Sequence, residues 1–131
     1  MNRVDIDPRM FGDRLGYERA VLIERPERWL FVAGHEARGD DGAIAHAGDI
    51  RAQVSLSFQR LRETLGKAGF ALADVVQIRL FTVDLPALTA NYDAVTAELA
   101  AGDCRPTSLL AGVDALSDPA MLLEIEAVAA Q

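Results

Sequence analysis

Glu124 and Glu126 stand two residues apart in the run Leu123-Glu-Ile-Glu-Ala-Val-Ala129. In an extended strand this spacing puts both carboxylates on one face with Leu122 and Val128, while Met121, Leu123, Ile125 and Ala127 take the other. A carboxyl in such a cleft can have a raised pKa and act as general acid or base; the alternative is an intersubunit salt bridge. Glu126 is read as structural. Ser108 has no Gly-x-Ser-x-Gly elbow around it, which argues against Ser-His-Asp chemistry. His35 and His46 have neither ligand spacing nor a cysteine partner, so no metal site is expected. Cys104, the only cysteine, lies in a turn between Asp103 and Arg105. It is read as a bland thiol, and Arg105 as a surface group pairing with Asp103 or a neighbouring subunit.

The bulk properties narrow the classes. With 131 residues, 50% hydrophobic and 25% charged, the chain has ordinary globular composition and the length of one domain, 1–131. The formal net charge is −7 and the basic residues are scattered among acids, which excludes the basic stripe of a nucleic-acid binder. No apolar run approaches a membrane span, and residues 1–14 lack the apolar stretch of a secretory signal. One cysteine excludes an intrachain disulfide and suits a reducing compartment. A cytoplasmic location is expected.

These side chains need a scaffold. Glu18–Glu24 and Trp29–Ala33 read as strands joined by Arg25-Pro-Glu-Arg28, a hairpin. Ile50, Val54, Phe58, Leu61 and Leu65 form one stripe at helical period, with Asp49 as N-cap and Gly69 as stop. A β-branched strand follows at Val75–Val83. Asp84 and Pro86 then open a second helix with the stripe Leu88, Tyr92, Val95 and Leu99, ended by Gly102; Tyr92 is read as core. Ser108–Val113 and Met121–Val128 close the chain as strands around the turn Ser117-Asp-Pro119. The order implies an α+β fold: a mixed sheet with two helices on one face, a strand-helix-strand crossover in the middle and hairpins at either end. Two helices cover one face only. Leu122 and Val128 beside two carboxylates on the other face suit a subunit interface with a polar pocket.

The ordered set Gly16-Tyr17, Phe31-Val-Ala-Gly34, Gly48-Asp49 with Gln53, Ala68-Gly69 with Leu72-Ala-Asp-Val-Val76, and Leu123–Ala129 resembles the reactive intermediate deaminase (RidA/YjgF) family. The resemblance spans residues 16–129, leaving 1–15 as an N-terminal segment. It implies a six-stranded, chorismate-mutase-like fold and a barrel-cored homotrimer with small-molecule clefts between subunits. It also implies hydrolysis of enamines and imines such as 2-aminoacrylate, without metal or organic cofactor. In the family an arginine grips the substrate carboxylate and a glutamate handles water and protons.

Carried over residue by residue, Glu124 matches the family glutamate and Tyr17 the pocket aromatic. Ala33 stands where the deaminases often have serine, and His35 where they commonly have glutamine. The family's Pro-Ala-Arg reads here as Pro106-Thr107-Ser108, so Ser108 takes the arginine's place. Arg105 precedes the proline; sliding it into position would take three residues, about 10 Å of strand, and turn the side chain to the opposite face. A serine hydroxyl offers one neutral donor where a guanidinium offers two charged ones, a loss of at least about tenfold in carboxylate affinity. Two readings follow. One is an enzyme for a small imine- or enamine-like, non-carboxylate substrate, with Glu124 directing water and Tyr17, Ala33, His35 and Ser108 lining its pocket. The other is a trimer that binds a ligand or stabilises a partner without chemistry. The acidic charge argues against any ribonuclease role.

Overall fold

The computed structural model describes residues 1–6 and 15–131. Strand β1 (Asn2–Ile6) is followed by β2 (Ala20–Glu24), β3 (Trp29–His35), helix α1 (Ile50–Lys67), β4 (Val75–Thr82), α2 (Leu85–Ala90), α3 (Tyr92–Ala101), β5 (Thr107–Gly112) and β6 (Leu123–Ala130). The fold is α+β with a mixed sheet, as the sequence implies.

Helix α1 begins where the Asp49 side chain accepts a hydrogen bond from Ala52 N, satisfying one of the orphan donors of a helix start. It ends before Gly69, whose φ of +76° only glycine adopts without strain. Its stripe Ile50, Val54, Phe58, Leu61 and Leu65 is buried throughout. The expected second helix is broken at Asn91, which caps α2 and starts α3. The Asn91 amide donates back to Ala87 O at 2.8 Å, so side chain and backbone compete for the same carbonyl.

Strand pairing departs from the expectation of terminal hairpins and of a single six-stranded sheet. The order is β3-β6-β4-β5 in a four-stranded sheet, with β1 and β2 as a separate antiparallel ribbon. The turn 25–28 does not close a hairpin, because Glu27 N and Arg28 N donate to Gln131 O and β3 pairs with β6. The free edge of β2 is met by β1, five residues from the segment to which the sequence reading assigned no element; residues 7–14 of that segment lie outside the described residues. At the other end, β5 runs parallel to β4 through the α2–α3 crossover, and β6 inserts antiparallel between β3 and β4. The long loop 113–122 allows that exchange.

The helices cover the face formed by Ile78, Leu80, Leu123, Ile125 and Ala127, all buried. The opposite face carries Phe31, 77% exposed, with Trp29 and Leu109 about half exposed. Arg79 Nε meets Glu126 Oε1 there at 2.6 Å. No helix among the described residues is long and apolar enough to cross a membrane.

Candidate functional site

Ser108 pairs in register with Ile78, a core residue, so its side chain points to the helix side of the sheet. There it meets segment 15–17 and the α2–α3 junction around a cavity of about 350 Å³ lined by Leu15, Tyr17, Thr89, Tyr92, Ser108 and Leu110. Tyr17 and Ser108 therefore share one hollow. Tyr92 shares it too: read as core from its place in the stripe, it packs its ring on the core but hydrogen-bonds Ser108 through its hydroxyl. Burial holds the Tyr92 phenol above its ordinary pKa, opposed by the Ser108 hydrogen bond. Thr89 was not singled out by any sequence pattern. None of the described lining residues carries a charge, so the cavity suits an uncharged molecule that exchanges hydrogen bonds with hydroxyls.

Glu124 is elsewhere. It pairs in register with Phe81 on the open face of the sheet. Between it and Ser108 runs β4, two strand spacings or about 10 Å, and the two side chains point to opposite faces. One protomer cannot bring them together. Burial, then the charges of Glu36 and Glu126, push the Glu124 carboxyl above its ordinary pKa, with His35 opposing. A carboxyl shifted in that direction suits general acid or base work better than an ordinary one.

Ala33 is exposed on the same open face, beside a hollow of about 210 Å³ bounded by Phe31, Gln77, Arg79, Glu126 and Val128. His35 is turned the other way. Its Nδ1 lies 2.7 Å from Ala33 O and its Nε2 2.7 Å from Thr64 Oγ1 on α1. A carbonyl only accepts, so Nδ1 carries hydrogen and the ring fastens the end of β3 to the helix. The five candidate residues thus fall into a Tyr17–Ser108 group, a Glu124–Ala33 group and a separate His35.

Arg105 is not paired with Asp103. Its Nε donates to Glu18 Oε1 at 2.7 Å, and Glu18 is 2% exposed. A guanidinium committed to a buried carboxylate is not free to replace the missing anchor at Ser108. Cys104 is buried and its thiol is pushed up to about 12 by that burial, the opposite of a reactive thiolate. Among the described residues no group of His, Cys, Asp and Glu is placed to hold a metal ion.

This fold has known counterparts. The profile of the family described as endoribonuclease L-PSP matches residues 12–131, and the chain belongs to that family, the YjgF/RidA or Rid proteins. A Rid protein of unknown function, YyfB from Yersinia pestis, is 32% identical over 100% of both chains, with a TM-score of 0.86. Rv2704 from Mycobacterium tuberculosis, a member of the YjgF/YER057c/UK114 family, is also 32% identical, over 99% of this chain and 100% of its own, at a TM-score of 0.66. TdcF from E. coli with bound serine is 22% identical over 88% and 87% of the two chains, at 0.72, a likeness of fold. Comparison with curated proteins returned no match.

Proposed function

We propose that this protein is a cytoplasmic homotrimer that takes a small, uncharged imine or enamine into clefts between subunits and hydrolyses it. The observation that carries this reading is the Tyr17–Tyr92–Ser108 cavity, whose described lining offers hydroxyls and no cation. A carboxylate entering it would leave its charge unpaired. In the trimer that the family resemblance implies, a neighbouring copy's open face brings Glu124 to the cavity's mouth. An enamine first tautomerises to the imine, gaining a proton at carbon and losing one from nitrogen. Water then adds across the C=N bond while Glu124 takes a proton from water and returns it to nitrogen. The resulting carbinolamine breaks its C–N bond to give a carbonyl product and ammonia. Serine bound to the fold-related TdcF supports a ligand of amino-acid size.

A second reading has its own support: the separation of Glu124 from Ser108 within the protomer suits a binding protein whose cavity holds a ligand without turnover.

The deciding experiment generates 2-aminoacrylate and its uncharged counterpart 2-aminoacrylamide in situ. The wild type is expected to hydrolyse the amide and not the acid. Ser108→Arg should gain activity on the acid, and Glu124→Gln should abolish turnover of the amide. Wild-type activity on the acid, unchanged in Ser108→Arg, overturns the proposal. Binding of the amide without turnover selects the second reading.

A further inference from the structure

Tyr17 reaches its cavity from a segment that the four-stranded sheet holds by very little. After residue 18 the chain enters β2, whose ladder goes to β1. The contact between this segment and β5 is concentrated on Glu18: its N–H donates to Pro106 O at 2.8 Å, and it makes a single parallel bridge with Thr107. Its carboxylate, buried to 2% exposure, takes the Nε of Arg105 through Oε1. The other oxygen, Oε2, has no hydrogen-bond partner among the described residues. A buried carboxylate satisfied on one side alone is a costly way to attach a ribbon; an apolar pair of similar volume would do as well for stability. What the ion pair adds is direction, since a charged hydrogen bond fixes the angle at which two chains meet. Arg3 completes the fixing: its guanidinium donates to the carbonyls of Ala73, Val75 and Arg105, so Arg105 is held by its side chain from Glu18 and by its backbone from β1.

Tyr17 is the residue before Glu18, and Ser108 is three residues after Arg105. We infer that the Glu18–Arg105 pair is a positioning pair for the ligand cavity, setting the distance of Tyr17 from Ser108 and Leu110 by buckling segment 15–18 to the start of β5. The inference rests on the cavity being the ligand site proposed above. Glu18 and Arg105 touch no ligand in this scheme; they act through Tyr17.

The test is made in the folded protein, without and then with a probe. The chain has two tyrosines, so ring-labelled tyrosine gives two resolvable sets of NMR signals, assigned with Tyr92→Phe. Wild type should show cross-peaks from the Tyr17 ring to the Leu110 methyls. Glu18→Ala and Arg105→Gln should each weaken them by more than about half while circular dichroism stays native, because a cross-peak falls steeply with the distance that the pair sets. Both variants should lose about tenfold in affinity for benzamide, an uncharged planar probe. Glu18→Gln, which keeps an acceptor oxygen in place, should restore both readouts. A purely structural pair would lower the melting temperature and leave the cross-peaks of the folded state at wild-type strength, and that result overturns the inference. Should one variant fail to fold, the other decides alone, Arg105 being the more exposed partner. Failure of wild type to bind benzamide would count against the proposed cavity function, while the cross-peaks would still decide the positioning role.

Discussion

The Glu124 carboxylate lies across the α-carbon of Gly34, so that a Cβ built there would fall among Cγ, Cδ and Oε1 of the glutamate. Gly34 does not have the positive φ that marks the glycines at 16, 42, 48 and 69, and its smallness serves the neighbour rather than the backbone. Gly34→Ala is therefore expected to fold and to displace Glu124. A displacement of about 1 Å at a reacting group costs on the order of 10²-fold in turnover. Steady-state kinetics on the uncharged imine would show it, and an unchanged rate would remove Glu124 from the chemistry.

The raised pKa of Glu124 has a consequence for stability with a definite sign. Burial disfavours its ionised form in the folded state, so the folded protein binds the proton more tightly than the unfolded chain. Stability then falls as pH rises from the ordinary carboxylate value of 4.5 through the higher folded value. Glu124→Gln should flatten that decline and leave the variant at least as stable as wild type at neutral pH. Thermal melts from pH 4 upward, expressed as the difference between the two proteins, would check it.

Gln53 is a buried amide with every polar atom used. Its Nε2 donates to Ala120 O at 2.8 Å and to Ala45 O and His46 O at 3.2 Å, and its Oε1 accepts from Leu122 N at 2.8 Å. It thereby joins α1 to the loop before it and to the entry of β6. Gln53→Leu keeps the volume and orphans backbone groups on both sides, a loss of about 3 kcal/mol. Urea denaturation with an unchanged m-value would confirm the size and the cause.

Phe31 and Trp29 together give the open face an apolar patch that a monomer would leave in water. If the proposed trimer forms through this face, Phe31→Lys should lower the sedimentation coefficient to that of a monomer without altering the far-ultraviolet spectrum. A trimer that persists would place the interface on another surface.

The sequence carries the burial pattern of this fold more clearly than its connections. The α1 stripe and the alternation of β6 are visible because each is a local period enforced by one apolar face. Strand β1 is hard to see because its alternation is short, with Val4 and Ile6 the only apolar residues beside Arg3 and Asp5, and because most of its residues are exposed. The exchange of β6 into the middle of the sheet is a choice between non-local partners, which no periodicity reports. Tyr17 and Ser108 were legible as a pair through the family pattern. The Glu18–Arg105 contact joins residues 87 positions apart, and Thr89 lines the cavity from a helix position outside the apolar stripe. His35 sat in a pocket position by family register, yet its ring is claimed by Thr64.

The position of β6 between β3 and β4 bears on how the molecule is made. As a nascent chain leaves the ribosome, β3, α1, β4 and β5 emerge before the strand that joins β3 to the rest. Until residues 123–130 are available, β3 and β4 each expose an unpaired edge and the apolar underside of α1 has half its floor missing. Such edges invite pairing with other chains. Nascent chains that have not yet exposed residues 123–130 should therefore depend on chaperones, and the sheet should close only when that strand is available.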